Sequence, residues 1–124
     1  MKKHVSIFLF AGFCVLLTAC RKEPKATLTL STENPTVNEV VVVTCNSDDA
    51  NAFTWSAYNT SNPTSTSNVT LQAGGQICDK STIYSFDSVG TYTIKVKAHN
   101  YKNKCDSPTN SGYSTEVTKT ITVN

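Results

Sequence analysis

The chain has 124 residues, with 11 lysines and arginines against 9 aspartates and glutamates, a formal net charge of +2. That length admits one domain with a single core, and so small an excess of positive charge excludes the basic footprint of a nucleic-acid binder. Thr, Ser, Asn and Val are abundant and Leu is scarce, which suits strands and loops better than helices.

The first element is a leader. Met1-Lys2-Lys3-His4 is short and basic, and Val5 to Thr18 is almost wholly apolar. A spanning helix needs about 20 apolar residues, so this run fits a secretory signal better, with small residues before the cut. Residues 1–19 are read as the signal peptide. The border Leu17-Thr18-Ala19-Cys20 resembles the lipobox of bacterial lipoproteins: an aliphatic residue, two small residues, then cysteine. The resemblance implies that the Cys20 thiol receives a diacylglyceryl group and that cleavage leaves Cys20 as an acylated N-terminus. Each buried CH₂ contributes about 0.8 kcal/mol, and two or more chains anchor stably where one does not. Cys20 is thus the expected lipidation site. The competing readings are an ordinary cleaved signal with a chance cysteine and an uncleaved anchor helix. Loss of Lys2 and Lys3 leaves nine basic and nine acidic residues, a neutral mature chain.

Residues 20–25, the acylated cysteine and a charged stretch with Pro24, are expected to form an extended tether, with the folded domain spanning 26–124. "ATLTLSTENP" alternates Leu28 and Leu30 with threonines, a strand with one buried face. In "NEVVVVTCNS" the unbroken Val40 to Val43 run predicts cover on both faces, or an edge tucked under a loop. "AFTWSAY" sets Phe53, Trp55 and Ala57 on one side, and a polar loop, "NTSNPTSTSN", follows. "VTLQ" is a short strand. "STIYSFD" divides Ile83 and Ser85 from Tyr84 and Phe86. "GTYTIKVKAHN" has the clearest alternation, with Tyr92, Ile94, Val96 and Ala98 inward. The clustered Lys95, Lys97, Lys102 and Lys104 then read as a solvated strand face and loop. After the loop "YKNKCDSPTNSG", the segment "TEVTKTITVN" closes the chain. Seven short strands without helical periodicity predict an all-β fold, an antiparallel β-sandwich or barrel.

Gly90-x-Tyr92-x-Ile94 has the spacing of the tyrosine-corner region of immunoglobulin-like sandwiches, in which a tyrosine early in strand F bonds to backbone at the E–F turn. "GTYTIKV" also resembles the Gly-Thr-Tyr-Thr-(Val/Ile) element of PKD domains. Asn38-Glu39-Val40 is similar to the start of their strand B, Phe53-x-Trp55 to their strand C, and Ile121-Thr122-Val123 to their last strand. The resemblance covers residues 26–124 and implies an immunoglobulin-like (PKD-like) antiparallel sandwich of about seven strands. Ser56-Ala57-Tyr58-Asn59-Thr60 stands where the PKD hallmark Asp-Phe-Gly-Asp-Gly belongs, so properties tied to that motif do not carry over. A lipoprotein with such a domain resembles surface proteins of Bacteroidetes, where charged residues after the acylated cysteine favour export. Arg21-Lys22-Glu23 matches that signal in part.

Cys45, Cys78 and Cys105 remain in the mature domain, beyond the inner membrane, where disulfides are permitted. The immunoglobulin-like layout brings all three to one end of the sandwich. It leaves pairs through Cys45 open, but Cys78 and Cys105 are both in loops, and the expected bridge is Cys78–Cys105 with Cys45 a buried free thiol. His99 reads as a hydrogen-bonding residue at a strand end, and Trp55 as core. Asp48 and Asp49, with Asn46 and Asn51, read as a polar turn, with Ca²⁺ the less favoured alternative. The sequons at Asn59 and Asn68 are discounted in a bacterial chain. Asp87-Ser88-Val89 resembles a Bacteroidetes O-glycosylation motif, though a turn explains it equally well. No catalytic residue, metal site or cofactor is expected. The expected role is a non-catalytic lipoprotein anchored in the outer membrane of the cell envelope, with its domain a binding or spacer module for protein or glycan. Tyr58, Tyr101 and Tyr113 are the candidate contact residues on or beside loops. The alternative is a structural subunit of an outer-membrane complex, joined through an edge strand.

Overall fold

The computed structural model describes residues 23–100, 105 and 113–124. They form seven strands and, among the described residues, no helix: β1 (Lys25–Leu30), β2 (Val41–Asp48), β3 (Ala52–Asn59), β4 (Val69–Gly74), β5 (Ser81–Phe86), β6 (Gly90–Asn100) and β7 (Tyr113–Val123). Two antiparallel sheets result, one in the order β1-β2-β5-β4 and the other β3-β6-β7. The inward faces of both sheets feed one hydrophobic core, the arrangement of a β-sandwich.

Alternation decides what is buried. On β6, Tyr92, Ile94, Val96 and Ala98 are fully buried, as their spacing predicts, and their register partners Ala57, Phe53, Ile121 and Val117 flank them. From the opposite sheet come Leu28, Val41, Val43, Cys45, Tyr84 and Phe86. The Phe86 and Tyr92 rings lie 4.6 Å apart between centroids, within the range in which tilted aromatic pairs attract. They flank the 87–89 turn by which the chain passes from β5 to β6, so this pair ties one sheet to the other.

The valine run does not behave as its composition predicts. Val41 and Val43 are buried, but Val40 and Val42 are 53% and 39% exposed. β2 is an interior strand between β1 and β5 with only one face on the core. The run therefore reflects the preference of β-branched side chains for strands rather than cover on both sides. The domain end of the segment expected to be a tether is structured instead. Pro24 is buried and its carbonyl accepts a hydrogen bond from the Thr115 hydroxyl, and Lys25 opens β1 opposite Asp48.

Edges are managed by different means. Beyond β1 the chain crosses to β7, where the Thr122 and Asn124 amides donate to the Glu33 and Pro35 carbonyls, each at 3.0 Å. β4 is an exposed edge interrupted by a bulge between Leu71 and Ala73. It ends at Gly74, whose φ of +74° and close approach to the Ser81 carbonyl admit only glycine. Bulges and short edges discourage strand addition by other chains.

The Tyr92 hydroxyl donates to the Ser88 carbonyl at 2.9 Å, closing the β5–β6 turn over a fully buried ring. Tyr92→Phe keeps the ring and removes that bond. We expect it to lower unfolding free energy in urea by about 1–2 kcal/mol without altering the far-ultraviolet circular dichroism.

Candidate functional site

The strand registers give the sandwich two distinct ends. Lys25 pairs with Asp48, Ala52 with His99, and Asn100 with Tyr113. The 49–51 and 75–80 turns and Cys105 gather there, beside the first residue of β1. At the other end Asn59 pairs with Tyr92 and Gly90 with Val123. The 31–40 crossing, the 60–68 loop and the 87–89 turn gather at that end. An 11-residue strand such as β7 spans about 37 Å, so the two ends are well separated.

The first end is stapled. A disulfide links Cys78 and Cys105, with Cα atoms 5.0 Å apart. The 75–80 turn is fixed to both sheets: the Ile77 carbonyl accepts from the Phe53 amide at 2.7 Å, the Asp79 carbonyl from the Trp55 indole at 2.8 Å, and the Lys80 carbonyl from the Cys45 amide at 2.8 Å. Trp55 is thereby half-buried against the core with its one donor satisfied. Cys105 has a left-handed φ of 59°, a conformation a non-glycine residue holds only when its surroundings impose it. The disulfide and a 3.1 Å bond from its amide to the Asn51 carbonyl supply that constraint. Cys45 is a buried free thiol, pushed above its usual pKa by desolvation. It is placed to pack and not to react.

His99 belongs to this end. It is 5% exposed, and its Nε2 lies 3.0 Å from the Thr54 hydroxyl. Burial first and the Lys97 charge second lower its pKa from 6.5. Among the described residues no three His, Cys, Asp or Glu side chains come together as metal ligands.

The second end carries the loop after Tyr58. It is polar, yet ordered by its own hydrogen bonds. The Asn62 amide donates to the Asn59 carbonyl at 3.1 Å, the Ser65 amide to the Asn62 carbonyl at 2.9 Å, and the Asn59 amide to the Ser65 carbonyl at 3.3 Å. Asn59 and Asn62 side-chain carbonyls accept from the Ser61 amide and the Thr64 hydroxyl, each at 2.9 Å. The Thr60 amide ties the loop to the Thr91 carbonyl at 3.0 Å. Serine, threonine and asparagine favour such turns because their side chains substitute for backbone partners. The outcome is a pre-shaped surface of exposed hydroxyls and amides. Below it, on the outer face of the β3-β6-β7 sheet, the Lys95 ammonium sits 5.7 Å from the Tyr58 ring centroid, within cation–π range.

The tyrosines singled out from sequence do not form one site. Tyr58 stands beside the 60–68 loop, and Tyr113 begins β7 at the opposite, disulfide-stapled end. Tyr101 and Cys20 lie outside the described residues. The contribution of Lys95 escaped sequence reading, because its nearness to Tyr58 depends on the register of β3 against β6. Comparison with protein-family models, with curated proteins and with solved structures finds no match.

Two measurements check this geometry. Replacing Cys78 and Cys105 by serine should lower stability by about 2–4 kcal/mol, the usual effect of opening a loop of this size, as read by urea denaturation with and without reductant. The His99 effect has a definite sign. Its folded-state pKa lies below 6.5, so its contribution is complete above 6.5. Below that value the unfolded chain takes up a proton that the folded chain resists, and stability falls until the folded-state pKa is reached. His99→Gln should remove that part of the pH slope.

Proposed function

We propose that this chain is an envelope lipoprotein, held to a membrane through acylated Cys20, whose immunoglobulin-like domain is a non-catalytic module that presents its far end to a protein or glycan. Four features support the immunoglobulin-like reading. The orders β1-β2-β5-β4 and β3-β6-β7 correspond strand for strand to the ABED and CFG sheets of the constant-type immunoglobulin fold. The Tyr92–Ser88 bond matches a tyrosine corner. Trp55 on β3 packs against the core as the strand C tryptophan does. Ile94 is buried two residues after Tyr92, at the position where antibody domains carry a cysteine. The PKD-like subtype rests on the sequence resemblance alone.

The observation that carries the functional reading is end-to-end polarity. β1 begins at the stapled end, and Cys20 precedes Lys25 by five residues, so the lipid would sit at that end. The 60–68 loop lies about one strand length further out. Its exposed hydroxyls and amides, flanked by Tyr58 and Lys95, combine an aromatic platform with adaptable polar groups, the chemistry of many recognition surfaces. The bulged β4 and the covered end of β7 weigh against assembly by strand addition there. His99 lies buried at the stapled end, away from this loop, with its Nε2 against the Thr54 hydroxyl.

Mass spectrometry of the membrane-extracted protein should find Cys20 as an acylated N-terminus, and protease treatment of intact cells should remove the domain. Retention of Met1, or an unmodified Cys20, would overturn the anchor. A pull-down that yields one stable stoichiometric partner would favour the structural subunit, whereas glycan-array binding weakened at least tenfold by Tyr58→Ala would favour the presenting module.

A further inference from the structure

The same polarity sets a second surface against the membrane. On the solvent face of the β1-β2-β5-β4 sheet is an open groove of about 510 Å³. Its position follows from the register. Leu28 and Cys45 are paired and face the core. The alternate pairs, Thr27 with Asn46 and Lys25 with Asp48, therefore face outward. Lys25 stands at one side of the groove. Lys80 stands at the other, held beside β2 by the 2.8 Å bond from the Cys45 amide to its carbonyl. Thr27, Thr44 and Asn46 line the floor, and Asp48 completes the rim.

Both lysines are exposed. The one ion pair among the described residues is Lys119–Glu33, elsewhere in the molecule. Two lysines and one aspartate leave the groove with a net charge of +1, over a floor of hydroxyls and an amide. The Thr44 hydroxyl is engaged with Ser81 and one Asn46 amide hydrogen with Thr29, so the set offers a single phosphodiester two ammonium groups for its charge, and the Thr27 hydroxyl and the second Asn46 amide hydrogen for its oxygens. The volume falls within the range of small-ligand sites and is larger than a bare phosphate needs, leaving room for the alcohol that the phosphate esterifies.

Position narrows the source. Four residues separate Cys20 from Lys25, and the five residue steps between them reach at most about 18 Å. An acylated Cys20 sits at the membrane interface, so Lys25 stays within that distance of the headgroup layer. We propose that this groove binds the phosphodiester headgroup of an anionic phospholipid in the anchoring bilayer. This contact would fix the sandwich over the membrane with the 60–68 loop facing away. The inference rests on acylation of Cys20, and its test separates the two.

The protein expressed as the full chain in a bacterial host and extracted in detergent is reconstituted into vesicles of phosphatidylcholine alone or with 30% phosphatidylglycerol. Flotation reports the anchor: protein that fails to float with either vesicle refutes acylation, and the headgroup proposal falls with it. For protein that floats, lysines are labelled with an amine-reactive reagent and quantified by mass spectrometry. Expected is at least tenfold slower labelling of Lys25 and Lys80 in the phosphatidylglycerol vesicles, with Lys95 and Lys97 on the other sheet equal in both. Asn46→Asp, which puts a second carboxylate in the floor at an exposed position, should abolish most of the difference. Three results would overturn the proposal: equal labelling of Lys25 and Lys80 in the two vesicles, the same protection for Lys95 and Lys97, or full protection in Asn46→Asp. Soluble glycerol phosphate that protects Lys25 and Lys80 when phosphatidylglycerol vesicles do not would assign the groove to a free phosphate ester and also overturn it.

Discussion

The sandwich depends on burying one face of β6. Its side chains Tyr92, Ile94, Val96 and Ala98 fill the middle of the core, and β6 is the interior strand of its sheet. The alternation cannot slip by one residue without exchanging these four for Thr93, Lys95, Lys97 and His99, and burying two lysines would cost far more than the core returns. That fixed register determines the rest. It aligns β3 and β7 on either side, sets Trp55 beside Val96, and brings Tyr92 to the turn where its hydroxyl meets Ser88. The chain crosses between sheets at the 49–51 turn, the 60–68 loop and the 87–89 turn. Each crossing is pinned by backbone or side-chain bonds rather than by ion pairs, in keeping with a sequence rich in hydroxyls and amides.

Much of this was legible from spacing alone. A period of two in β1, β3, β6 and β7 identified the inward residues. The glycine, asparagine and proline punctuation located the turns, and the Gly90-x-Tyr92 spacing located the corner. The Cys78–Cys105 pairing came instead from the resemblance to an immunoglobulin-like layout, which implies that the two loops share an end. The valine run was misread because composition reports β-propensity and double burial identically. Only the number of layers covering a strand separates them, and that is a property of the assembled sheets. The end of the tether was missed for a related reason. Pro24 is buried by contact with β7, 91 residues further along, and no local pattern records such a contact.

The candidate surfaces were less legible than the fold. Tyr58 and Tyr113 resemble one another in sequence, each an aromatic beside a polar loop, but Tyr58 lies at the end of β3 and Tyr113 at the start of β7, two strands that run the same way, so they stand at opposite ends. Lys25 and Lys80 are 55 positions apart and lie in segments of different type. Their common groove exists because β2 sits between the start of β1 and the residue before β5. Register and strand order therefore carry functional information that composition, motif and charge count do not. Charge illustrates the point: a net +2 over the whole sequence suggests no electrostatic partner, while the folded surface has a local excess of one positive charge beside the start of β1.

The two ends also differ in how they are ordered, and the difference fits the roles proposed for them. The stapled end is held by a covalent bridge and by carbonyls of the 75–80 turn that accept from both sheets. Such an end resists displacement, because separating the turn from the sandwich would break several bonds at once. The 60–68 loop is held largely by hydrogen bonds among its own residues, with bonds to Thr91 and Asp87 at its two ends, each contributing about 1 kcal/mol in water. Those bonds shape the loop without locking it, so individual hydroxyls and amides can exchange a neighbour for a ligand at little cost. Rigidity at the stapled end and exchangeable polar contacts at the opposite end are the mechanical division of labour that the proposed tethered recognition module would require.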